Sequence, residues 1–95
     1  MTAGQQERAK AIGQRIVAAR KRKGMSQVKL AEALAERSGL EPETVRRSLV
    51  NNETGKFAPR LRTLEAIAAV TAQPLSFFLD APEVVADTAP FRDAA

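Results

Sequence analysis

Apolar residues recur at three- and four-residue steps in five separate blocks, the period of an amphipathic helix, and no strand-like pattern or internal repeat appears. In the first block Ala9, Ile12, Ile16 and Ala19 share a face, predicting a helix from about Gln6 to Lys23 after a flexible N-terminus, residues 1–5. Four consecutive cations, Arg20, Lys21, Arg22 and Lys23, precede Gly24. Cations complement the C-terminal end of the helix dipole, and Gly just beyond is a stop signal. Ser26 is placed to cap a second helix, striped by Leu30, Ala31, Leu34 and Ala35 and ending near Arg37, before Ser38-Gly39. Pro42 opens a third helix, because its missing N–H costs nothing in a first turn. Leu40, Val45 and Leu49 form its inner side, and it ends near Asn52 in the polar run Asn51-Asn52-Glu53-Thr54-Gly55. Pro59 opens a fourth, with Leu61, Leu64, Ile67 and Ala68 inward, and Pro74 a short fifth carrying Leu75, Phe77, Phe78 and Leu79. From Asp80 the amphipathic period is lost, so residues 80–95 read as an extended or disordered tail. The expected fold is all-α: five helices in one domain, residues 6–79.

Composition narrows this picture. Apolar residues make up 44% but aromatics only 4%, all Phe, so Ala, Leu, Ile and Val must build the core, which suits close helix packing. No apolar run is long enough to span a membrane, and the N-terminal stretch lacks the apolar segment of a signal peptide, so a cytoplasmic protein is expected. The absence of both Cys and His removes disulfides, thiolate or imidazole metal sites and imidazole-based triads. With no glycine loop or paired-carboxylate helix either, neither an enzyme nor a cofactor is expected.

Charge is divided unevenly. Residues 1–64 carry 14 Lys and Arg against 6 Glu, whereas residues 65–95 carry one Arg against 5 acids. A basic body with an acidic tail suits a polyanionic partner at the first two thirds of the chain. Single-stranded nucleic acid is disfavoured, since there is no Trp or Tyr for stacking.

The second and third helices, joined by Ser38-Gly39-Leu40, have the form of a helix-turn-helix, with Gly39 supplying a positive φ and Leu40 able to bury itself between them. A wider pattern surrounds them: Ile16, Arg20, Gly24, Ser26-Gln27 and Leu30-Ala31, then Glu53-Thr54-Gly55, then Pro59, Leu64 and Ile67-Ala68. In that order the residues resemble the Cro and lambda-repressor-like (XRE-like) family of helix-turn-helix DNA-binding proteins, over roughly residues 12–79. The chain departs from the family pattern in one respect. Each helix of the motif is about one turn longer, near 5–6 Å by α-helical rise, which preserves the buried face.

The resemblance implies roles for particular residues. Arg20 and Glu53 would form a structural ion pair, since a planar guanidinium suits a bidentate hold on a carboxylate. The third helix, about 42–52, would enter the major groove with Glu43, Thr44, Arg46 and Arg47 outward, Arg47 at a base-contacting place. Glu41 and Glu43 also complement the helix dipole; Arg46 reads a base or reaches a phosphate. Ser26 and Gln27 at the start of the second helix, and Lys56, Arg60 and Arg62 around the fourth, would contact phosphates. Asn51 and Asn52 either cap the third helix or touch backbone, and Lys21 to Lys23 form a solvated last turn. Phe77, Phe78 and Leu79 exceed what so short a helix buries by itself and are candidates for a homodimer interface.

These readings lead to a transcriptional regulator, a repressor binding double-stranded DNA at a palindromic operator as a homodimer. The competing reading is an antitoxin or adaptor whose tail, residues 80–95, binds a partner protein.

Overall fold

The computed structural model describes residues 2–79, which form five helices and no strand. They are α1 (Ala3–Arg22), α2 (Gln27–Ser38), α3 (Pro42–Thr54), α4 (Leu61–Thr71) and α5 (Ser76–Leu79). Among the described residues no helix is long and apolar enough to cross a membrane. The acidic tail, with the protein-partner role expected of it, lies outside the described residues.

Helix ends follow local chemistry. α1 starts three residues before the predicted Gln6, inside the segment expected to be flexible, because Thr2 and Gln5 cap it reciprocally: Gln5 N donates to Thr2 Oγ1 and Thr2 N donates to Gln5 Oε1. Ser26 caps α2, its Oγ accepting from Lys29 N at 3.1 Å. Gly39 stops α2 with φ +74°, its N–H donating to Ala35 O. α3 runs two residues past the predicted Asn52, until Gly55 takes φ +81°. α4 begins at Leu61 rather than Pro59. Phe57 N donates to Asn51 O, Asn52 Nδ2 donates to Phe57 O, and the chain then stays extended through Arg60. α5 likewise starts after Pro74 and Leu75, whose carbonyls accept from Phe77 N and Phe78 N.

The core joins Ile16 and Ala19 of α1, Leu30, Ala31 and Leu34 of α2, Leu49 of α3, Leu64, Ile67 and Ala68 of α4, and Phe78 of α5. Packing is most extensive between α2 and α3 and between α1 and α3, so α3 is held from two sides. Two expected core residues are not there: Leu40 and Leu61 are each 58% exposed. Leu40 lies in the turn, outside the helix whose Val45 and Leu49 face inward. Leu61 is the first residue of α4, beyond the edge of the core. Phe78 is fully buried, which removes it from any surface a second copy could touch, whereas Phe77 and Leu79 are half-buried. Phe77 meets Phe78 edge to face at 5.4 Å and lies beneath the guanidinium groups of Arg15 and Arg22. Lys21, Arg22 and Lys23 are exposed, as expected of a solvated last turn, and the Arg22 guanidinium also lies over that ring.

α1 approaches the end of α3 closely through two glycines. A Cβ on Gly13 would stand 2.5 Å from the carbonyl oxygens of both Asn52 and Glu53. One on Gly55 would stand 2.7 Å from Lys10 Cα, besides requiring a side chain at positive φ. Backbone cannot yield as a flexible side chain would. Gly13→Ala should therefore lower unfolding free energy by about 1–3 kcal/mol in urea titration. Gly4, a helical glycine with nothing within 4 Å of its Cβ position, is the control, and Gly4→Ala should raise it by about 0.4–1 kcal/mol. Ala72 closes α4 at φ 58° without being Gly. Ala72→Gly should stabilise by roughly 0.5–1 kcal/mol in the same titration, relief of left-handed strain outweighing added unfolded-state freedom.

Candidate nucleic-acid interface

Glu53 lies in the last turn of α3, where the helix dipole disfavours an acid, and that turn has no basic residue to offset it. Its reason for being there is tertiary. Arg20 Nε donates to Glu53 Oε2 at 2.9 Å and Arg20 Nη2 donates to Oε1 at 3.1 Å, a two-pronged hold. Gln27 Nε2 donates to Oε1 at 3.0 Å, and Arg20 Nη1 donates to Met25 O at 3.3 Å. One carboxylate thus fastens the end of α1, the start of α2 and the end of α3. The side chains of Arg20 and Glu53 are 14% and 5% exposed, so little water competes for them. The hydrogen bonds to Glu53 raise the Arg20 pKa above its ordinary value, and the attraction of the carboxylate adds to them against desolvation. The guanidinium therefore stays charged.

This fastening changes the place of Gln27. Its expected phosphate contact would draw on the same amide, one of whose two N–H groups is given to Glu53. Ser26 accepts the α2 cap bond on its Oγ, and its hydroxyl proton stays able to donate to another partner.

With the end of α1, the start of α2 and the end of α3 fastened together, α3 leaves Glu43, Thr44 and Arg47 exposed and Arg46 half-buried. Glu43 and Arg46 pair one turn apart, Arg46 Nη2 donating to Glu43 Oε1 at 3.3 Å. The four expected base-reading residues thus divide into an ion pair and the exposed Thr44 and Arg47. The first turn of α3 carries no side-chain cap at Glu41, so its amides stay open to an acceptor.

The loop that leaves the C-terminal end of α3, and the start of α4, carry further cations. Buried Asn52 donates from Nδ2 to Phe57 O at 3.0 Å, which settles its role as holding the loop backbone. Asn51 acts through its carbonyl, which accepts from the N–H groups of Lys56 and Phe57. Lys56 is exposed with its Nζ 5.6 Å from the centre of the Phe57 ring. Arg60, the uncapped residue before α4, and Arg62 in its first turn are exposed as well. Arg60 and Arg62, beside the N-terminus of α4, gain nothing from its dipole, whereas Lys56 directly follows the C-terminal end of α3, where a cation is favoured.

Two positions escaped the sequence reading. Gly13 stands in mid-helix, where Gly costs about 1 kcal/mol relative to Ala, and that cost was the available signal of a close approach. The bond from Gln27 to Glu53 spans two helices and carries no local signature. Comparison with protein-family models, with curated proteins and with solved structures finds no match for this chain.

Removing Arg20 leaves the Glu53 carboxylate buried without its main partner. Arg20→Ala should cost about 2–4 kcal/mol in chemical denaturation. Replacing the pair together, as Arg20→Met with Glu53→Leu, should cost less than Arg20→Met by itself, because no charge is stranded.

Proposed function

We propose that the protein is a sequence-specific DNA-binding transcriptional regulator, a cytoplasmic repressor of the Cro and lambda-repressor-like type. It binds a palindromic operator as a homodimer, with α3 in the major groove. The observation that carries this reading is the Arg20–Glu53–Gln27 fastening, which holds α3 rigidly while its exposed side carries Arg47 and its end is flanked by Lys56, Arg60 and Arg62.

In this reading the exposed Arg47 guanidinium supplies two donors for guanine O6 and N7. Thr44 offers a hydroxyl and a methyl for a neighbouring base edge. Arg46 arrives oriented by Glu43, and the pairing offsets the repulsion between Glu43 and phosphate. Lys56, Arg60 and Arg62, with the open amides at the start of α4, grip the backbone and set the register of α3. The half-buried Phe77 and Leu79 supply the contact between protomers, with Phe78 beneath them as support.

Base and phosphate contacts separate in binding assays. Arg47→Ala should lose about 1–3 kcal/mol of discrimination at one base position in each half-site, measured by competition among single-base operator variants. Lys56→Ala and Arg60→Ala should weaken binding evenly across sequences, each reducing the slope of log affinity against log salt by about one. An Arg47→Ala protein with unchanged base preferences overturns the recognition role.

A further inference from the structure

A groove of about 650 Å³ runs between the end of α2, one side of α3 and the first two turns of α4. Leu34 and Leu49 form its buried base, half-buried Val45 lies beside them, and the exposed Leu40 stands at its lip. Among the described residues, Arg37 and Arg62 are the cations on its lining and Glu65 is the one acid. The Glu53 fastening lies elsewhere, so nothing described above fills this groove.

We propose that the groove is the docking site of the chain's own acidic segment beyond α5, centred on Val84-Val85. Glu83 and Asp87 flank those two valines, and residues 80–95 carry four acids against Arg92. An apolar pair between carboxylates matches an apolar base whose lining carries two guanidinium groups against one carboxylate. Reach is sufficient. The groove lies at the start of α4 and α5 follows its other end, so the segment must retrace about one α4 length, about 16 Å by helical rise. From Leu79 an extended chain reaches Val84-Val85 after about 17–20 Å, just over that length. Attachment to the body also raises the segment's local concentration to about millimolar, so a contact too weak to form between separate chains is populated within one. That favours the chain's own segment over a second copy.

Docking there covers Thr44 and Arg62, which line the groove and also belong to the proposed DNA face. Occupied groove and bound DNA then exclude each other, a consequence that rests on the DNA-binding reading; the docking itself does not.

The chain has no Cys, so one introduced thiol gives a unique attachment point. A nitroxide on Ala86→Cys in the full chain, free of DNA, should broaden the amide resonances of Leu40, Thr44, Val45 and Ala66. The expected loss of intensity is roughly two-fold or more, unchanged on dilution because the contact is within one chain. The same label with Leu40→Asp, which sets a carboxylate at the lip, should restore those resonances; Leu40 is exposed, so the core stays intact. Broadening absent from the groove, or unaltered by Leu40→Asp, overturns the proposal. So does broadening that grows with concentration when labelled chains are mixed with unlabelled isotope-enriched ones, which assigns the groove to a second copy.

Discussion

A single carboxylate organises this molecule. Glu53 sits at the wrong end of its own helix for the dipole and is held there by two donors from Arg20 and one from Gln27. α1, α2 and α3 meet at that point, and Arg20 also donates to Met25 O in the turn between α1 and α2. Such a buried pair adds little net stability compared with a well-packed apolar replacement. Its contribution is geometric: a bidentate hold accepts few relative orientations of the two helices, so the exposed side of α3 is presented in one way. A rigid scaffold of this kind is what reading base edges requires, because a donor displaced by about 1 Å loses its partner.

The other half of the constraint is proximity. Helices can meet at the Glu53 turn only because α1 offers Gly13 to the carbonyl oxygens of Asn52 and Glu53, and Gly55 accepts the backbone of Lys10. The core behind them is economical, largely Ala, Leu and Ile, with Phe78 as the one fully buried aromatic ring among the described residues. In a chain this short that ring matters: the four-residue α5 is anchored by Phe78, while Phe77 stays near the surface under two guanidinium groups. Asn52 extends the same order outward, tying the loop that carries Lys56 to the helix that carries Arg47.

The all-α fold and its five helices were legible because apolar spacing, Ser26, Gly39 and Gly55 act locally and agree with one another. Boundaries were less so. Pro59 and Pro74 are usual first-turn residues, yet each lies before its helix, since hydrogen bonds to the preceding element keep the chain from turning sooner. Leu40 and Leu61 have the right spacing but lie at helix ends, where periodicity gives no information on how far the core reaches. The Arg20–Glu53 pair came from the family pattern, and its third member, Gln27, did not, because a bond between separate helices leaves no trace in local order. Phe78 divided from Phe77 and Leu79 on the same ground: three adjacent apolar residues point in three directions, and only packing tells which is inside.

The central claim is that a rigidly held α3 reads a specific duplex sequence. Selection of bound duplexes from a random pool by the full chain, followed by affinity measurement at two salt concentrations, tests it most directly. The account predicts an enriched palindrome with half-sites about 34–36 Å apart, and an affinity that falls steeply with salt. A pool left without any enriched sequence, bound no better than competitor DNA, contradicts it.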